Sequence, residues 1–258
     1  MNALGEKLKT WRQSRHLSQL QLAVDAEVSP RHLSFIETGR SKPSREIVLR
    51  LAAQLRVPLR EQNAFLLAAG FAPAFAHREL DTPELSAVKA DAAHVLEQHL
   101  PFPAVALDRQ CNVVMANCAA RKLVKGISPQ IAQNIYRLLL HPDGLASQIV
   151  GFAAYSRHLV TRLSRDAQTS GSPELLALLT EVEQYPNVAS GDETIEPVAL
   201  TLRLKRGSGE LAFFTTLSTF GTPFDVTVSE LVIEALFPAD QATARKLSEV
   251  EPKIRTKG

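Results

Sequence analysis

Apolar residues recur along this chain with two different periods. Leu4, Leu8 and Trp11, and later Ile47, Leu51 and Leu55, return every three or four positions with polar residues between them. That spacing predicts two amphipathic helices, each with one solvated face. Two shorter helices between them are announced by start signals. Ser18 is followed three residues on by Gln21, a capping-box pattern, and Ser29 precedes Pro30, whose missing N–H has no partner to lose at a first helical position. FLLAAGF at 65–71 predicts a fifth helix ending near Gly70. The next stretch, FAPAFAHRELDTPE, has prolines at 73 and 83 and little periodicity, and reads as a linker.

The remainder follows another pattern. Leu85, Val88, Ala92 and Val95 mark a helix, and PAVALDRQCNVVMAN reads as two short strands around a turn at Asp108 to Cys111. Residues 119–185 read as helical, broken at HPDG (141–144) and TSGSP (169–173). The clearest strand signal is Val198, Leu200, Leu202 and Leu204 alternating with Ala199, Thr201, Arg203 and Lys205. RGSG turns it into LAFFTTLSTF, and SELVIEALF is a third candidate strand. There is no internal repeat.

A length of 258 residues suits two domains. A hydrophobic fraction of 45% with 22% charged residues excludes a disordered chain. No apolar run approaches the ~20 residues of a membrane span, and MNALGEKLKTWRQ has no apolar signal-peptide core, so the expected location is the cytoplasm. Cys111 and Cys118, seven apart, fit neither a zinc knuckle nor a redox pair and read as buried thiols. The net charge of +2 hides an asymmetry. Residues 1–76 hold 11 lysines and arginines against 6 acids, or +5, which leaves −3 for the rest. The first part is therefore the one expected to meet a polyanion.

LSQLQLAVDAEVSPRHLSFIETGRSKP, from Leu17 to Pro43, carries Ser18-Gln19 opening one helix, Leu22-Ala23 within it, Val28-Ser29 opening the next, Ile36-Glu37 closing that one, and Gly39 beyond. It resembles the Cro and phage-repressor type helix-turn-helix, the XRE family. The residues suit the motif: Ala23 is small where two helices cross, Val28 plugs the turn, and Leu33 with Ile36 bury one side of the second helix. Arg31, His32 and Phe35 then face outward on the helix that such motifs lay in the major groove. Arg31 can bond guanine O6 and N7, Phe35 can lie against a thymine methyl or pack on a neighbouring helix or dimer mate, and His32 suits a base or a phosphate. Gln19, Arg40, Ser41 and Lys42 are the candidates for holding the DNA backbone. The family usually has glycine in the tight turn where this chain has Glu27, which leaves open a turn of different geometry.

ETGRSKPSREIVLRLAAQLRVPLREQNAFLLAAGFAP, PAVALDRQCNVVMAN, HPDG and TFGTPFDVTVSELVIEALFPAD together resemble the MmyB-like regulators. That resemblance implies a PAS-like second domain, a small antiparallel sheet flanked by helices around an apolar cavity, with a bound fatty acid in some relatives. Leu200, Leu202, Phe213 and Phe214 are the candidates for lining such a cavity, ordinary core packing being the alternative for each. Arg203 or Arg109 suits a ligand carboxylate, a surface position being the alternative.

No convergent catalytic set is evident, so no enzyme is expected. His94 and His99, five apart, miss the helical spacing of paired metal ligands, and HPDG reads as a helix-ending turn. The expected architecture is an all-α helix-turn-helix domain of five helices at 1–72, a linker at 73–83, an α+β PAS-like ligand-binding and dimerisation domain at 84–250, and a tail at 251–258. The expected function is operator binding by a homodimer, modulated by a small apolar, fatty-acid-like ligand. The alternative is an effector-free regulator whose second domain only dimerises or contacts a protein partner.

Overall fold

A computed structural model describes residues 3–189, 200–207, 209–221 and 223–250. The chain divides into two compact units, Met1–Thr82 with Gly221–Ser229, and Pro83–Phe220 with Glu230–Gly258.

The first unit is built on five helices: α1 (Ala3–Ser14), α2 (Gln19–Asp25), α3 (Pro30–Glu37), α4 (Arg45–Gln54) and α5 (Leu59–Ala68). The start signals act as expected in two places. Ser18 Oγ accepts from Gln21 N at 3.0 Å, and Ser29 Oγ accepts from His32 N at 3.1 Å with Pro30 at the first helical position. The Gln21 side chain does not close the capping box; its Nε2 donates to Asp25 Oδ1 one turn on. Helix α5 starts six residues earlier than the apolar run suggested, at Leu59 after Pro58, and Gly70 follows it at φ +87°. Leu4, Leu8, Leu22, Ala23, Leu33, Ile36, Leu51 and Phe65 are buried in one core.

Glu27 takes the left-handed conformation, at φ +54°, so the turn keeps the geometry that its relatives reach with glycine. A left-handed residue with a Cβ costs ~1–2 kcal/mol, part of which glycine returns through its looser unfolded chain. Glu27→Gly should therefore stabilise this unit by about 0.5–1 kcal/mol, read by denaturant titration of the fluorescence of Trp11, the chain's single tryptophan, packed against this core.

Residues of the expected linker are bound within this unit. Asn63 Oδ1 accepts from the backbone N–H of Ala74 and Phe75, and Asn63 Nδ2 donates to Phe75 O. The segment Gly221–Ser229 joins them from far along the chain. Val226 N donates to Ala76 O at 2.8 Å, Arg78 pairs with Asp225 at 2.8 Å, and Thr227 Oγ1 donates to Arg78 O. The linear division into domains expected from sequence therefore does not hold at this segment.

The second unit contains α6 (Ser86–Gln98), β1 (Ala104–Leu107), β2 (Val113–Ala116), α7 (Cys118–Leu123), α8 (Pro129–Ala132), α9 (Ile135–Leu140), α10 (Phe152–Ser170), α11 (Pro173–Val182), β3 (Leu202–Arg206) and β4 (Gly209–Thr219). The chain then passes through α12 (Val226–Glu230), which lies largely in the first unit, into β5 (Val232–Pro238) and α13 (Gln241–Val250). The five strands form one antiparallel sheet in the order β2-β1-β5-β4-β3. Asp108 makes the β1–β2 turn, its Oδ1 accepting from Gln110 N and Asn112 N at 2.8 Å each. The alternation predicted for β3 survives over its described part: Leu202 and Leu204 are buried, Arg203 and Lys205 exposed. Val198 and Ala199, expected to begin that strand, and the expected tail at 251–258 lie outside the described residues.

One buried side chain ties this unit together. Asn117 Nδ2 donates to Leu96 O and Phe102 O, while its Oδ1 accepts from Ala104 N and Ala120 N. A single amide thus joins α6, β1 and α7, satisfying groups that would otherwise be buried without partners.

Candidate functional site

In the first unit, burying Leu33 and Ile36 leaves the opposite side of α3 toward solvent. Arg31 is exposed; His32 and Phe35 are half-buried. The Phe35 ring lies beneath two guanidinium groups, Arg31 at 5.3 Å and Arg40 at 6.0 Å. Such contacts restrain both cations without neutralising them. Arg40 and Lys42 are exposed and Ser41 is half-buried, so Arg31, Phe35 and Arg40 are brought together and Lys42 continues the basic stretch.

Arg31 sits in the first turn of α3, where the helix dipole disfavours a cation. That placement does not serve stability, and it leaves the guanidinium available to a partner.

Behind this surface lies a group of residues that sequence reasoning did not connect. Arg12 of α1 pairs with Glu37 at the end of α3 in two-pronged fashion, Nε to Oε1 at 2.7 Å and Nη2 to Oε2 at 2.9 Å, and its Nη1 donates to Leu17 O. The two side chains are only 10% and 2% exposed. Gln19, expected to hold the DNA backbone, donates one amide N–H to Glu37 Oε2 at 2.7 Å. Gly5 lets α1 approach this corner: a Cβ there would stand 2.3 Å from Glu37 O. The only sequence signal was Glu37 closing the helix, with nothing in the pattern naming Arg12 as its partner.

The second unit encloses two adjoining chambers. The first, about 300 Å³, is lined mainly by apolar side chains from the sheet and the short helices, among them Val105, Val113, Ala120, Leu138, Leu202 and Leu204. The second, about 400 Å³, shares Ile135, Leu139, Tyr155, Thr215 and Glu234 with it and adds Cys111, Tyr136, His158, Arg162, Leu200 and Phe214. Burial pushes the Cys111 thiol up to about 12, so it stays protonated and unreactive at neutral pH. Burial also raises Glu234 above the usual carboxylate range, with Arg162 pulling the other way.

The residues expected at a ligand pocket separate. Leu202 lines the first chamber and Leu200 and Phe214 the second. Phe213, fully buried in the core between β3 and β5, lines neither. Arg203 falls on the opposite face of β3 from Leu202 and Leu204, exposed and 3.8 Å from Glu210; alternation along a strand requires it. Arg109 lines neither chamber and lies 3.9 Å from Glu174. Two other arginines line the chambers, Arg121 of α7 the first and Arg162 of α10 the second, and no motif marked either.

Among the described residues no group of three His, Cys, Asp or Glu side chains is placed to hold a metal, and no helix is long and apolar enough to cross a membrane.

Comparison with known proteins agrees with this division of labour. Residues 8–62 match a helix-turn-helix family, and residues 88–249 match the MmyB-like transcription regulator ligand binding domain. No curated protein matches the chain. Among solved structures, the clp gene regulator ClgR from Corynebacterium glutamicum is 28% identical over 39% of this chain and 93% of its own, with a TM-score of 0.24. An RNA-binding light-oxygen-voltage receptor is 12% identical over 97% of this chain, with a TM-score of 0.30; this chain spans 64% of that receptor. The ligand-binding match covers more than half of the chain and lies beyond the helix-turn-helix match, and the chain belongs to the MmyB-like transcription regulators.

Proposed function

We propose that this regulator binds its operator as a homodimer through Arg31, His32 and Phe35, and that a small apolar, fatty-acid-like ligand in its PAS-like second domain modulates that binding. The observation that carries the ligand half of the reading is the apolar chamber of about 300 Å³ inside the part of the chain that matches a ligand-binding family. It falls at the lower end of the ~300–1,000 Å³ common for small-molecule sites. The DNA half rests on the exposed Arg31 and Arg40 gathered over the Phe35 ring, in the part that matches a helix-turn-helix. Gln19, Arg40, Ser41 and Lys42 would hold phosphates, which set register without reading sequence. The protein acts in the cytoplasm and not as an enzyme. Two-fold readers place their heads ~34 Å apart, so small changes in dimer geometry change operator affinity.

The test is native mass spectrometry of the purified protein, organic extraction of what it carries, and anisotropy titration on its own upstream DNA before and after extraction. A stoichiometric lipid whose removal changes DNA affinity is the expected result. A dimer that carries nothing and binds DNA equally well either way would establish an effector-free regulator instead. A protein that stays monomeric at micromolar concentration, free and on DNA, would remove the dimer.

Lys42→Ala provides an independent check of the phosphate assignment. It should weaken binding to all sequences alike and lower the slope of log affinity against log salt by about 1.

A further inference from the structure

The second chamber contains groups that a purely apolar ligand would leave unused. The Tyr136 hydroxyl and His158 Nδ1 are buried without a hydrogen-bond partner among the described residues. Both residues line the chamber together with Arg162 and Glu234. Buried polar atoms are ordinarily satisfied, and one left alone calls for a partner from outside the chain. Two of them in one cavity, beside a guanidinium and a carboxylate, make this the polar chamber of the two, with Glu234 lining both.

Charge decides what that chamber accepts. Arg162 already has Asp166 at 3.9 Å, one turn along α10. Glu234 is 8% exposed, and its carboxylate has no hydrogen bond or salt bridge among the described residues. Asp166 is half-exposed, lies outside the chamber lining and is also held by the charge of Arg165, so within the chamber one cation stands with one carboxylate. A ligand carboxylate would add a second negative charge beside that one cation, and would require the buried Glu234 to take up a proton first. An uncharged head with a carbonyl and an N–H or O–H requires no such change. Its carbonyl can accept from Arg162 and Tyr136, and its own proton can be donated to Glu234 or to His158. At about 400 Å³ the chamber also has room for far more than one carboxyl group.

We infer that the ligand is an amphiphile whose uncharged amide or hydroxy-carbonyl head sits among Tyr136, His158, Arg162 and Glu234, with its alkyl part in the apolar chamber. This rests on the ligand-modulated reading above. The test is calorimetric titration of the extracted full-length protein at pH 7.5 with decanamide and with sodium decanoate, which share a chain and differ in the head. Decanamide should bind at least tenfold tighter. Glu234→Gln should raise decanoate affinity at least fivefold, and the milder Tyr136→Phe should weaken decanamide at least fivefold. Decanoate binding as tightly as decanamide, or affinities that neither variant moves, would overturn the head-group assignment and leave the ligand-modulated reading standing. Binding of neither amphiphile would remove both.

Discussion

Glu37→Ala should cost the N-terminal unit about 3–5 kcal/mol, the range for breaking a buried ion pair by removing one partner. The Arg12 guanidinium would then stand buried opposite an apolar methyl, with only Leu17 O still accepting from it, and Gln19 would lose its acceptor as well. For domains of this size the stability at risk is ~5–15 kcal/mol in all, so the variant is expected to be largely unfolded well below the parent's melting temperature. Trp11 reports on this unit selectively, because it is the only tryptophan and lies one residue from Arg12. Denaturant titration of its fluorescence gives the loss, and a loss under about 1 kcal/mol would mean that water satisfies Arg12 as well as Glu37 does. The double variant Arg12→Met/Glu37→Leu should recover most of it, since replacing both charges with apolar groups leaves no unpaired ion.

Arg31→Ala should leave stability almost untouched and reduce operator affinity by about 1–3 kcal/mol, or roughly 5- to 150-fold. The stability half follows from position: a cation in the first turn of α3 is opposed by the helix dipole, so its removal is neutral or slightly favourable. The affinity half follows from exposure and from Phe35, which restrains Arg31 and Arg40 against one ring. Anisotropy titrations at fixed salt, with operator and with a scrambled duplex, separate the two roles. A base-reading arginine loses most of its effect on the scrambled duplex, and an equal loss on both would make Arg31 a phosphate contact.

Much of this molecule was legible before any tertiary structure. The period of Leu4, Leu8 and Trp11, the caps at Ser18 and Ser29, the Asx turn at Asp108 and the alternation of Leu202 with Arg203 all involve residues within a few positions of each other. Their physics is local: a side chain caps the backbone two or three residues on, or a pleat sends neighbours to opposite faces. The helix-turn-helix was readable for the same reason, being a contiguous motif whose outward residues follow once Leu33 and Ile36 are placed inward.

What the pattern could not supply is which inward face meets which. Periodicity shows that Phe213 is apolar and that Arg162 lies on a helix, but not that Phe213 is sealed in the core while Arg162 lines a chamber with Glu234, some seventy residues away. Nor does it pair Arg12 with Glu37 across 25 positions, or Arg78 with Asp225 across 147. By itself the sequence determined most of the helices and strands, though not all their bounds, together with the reading head and the kind of protein. Only the tertiary structure decided where the chamber lies, which charges face it, and that residues 221–229 belong with the first unit. Those depend on contacts between segments far apart in the chain, which chain closure and packing select and no local spacing records.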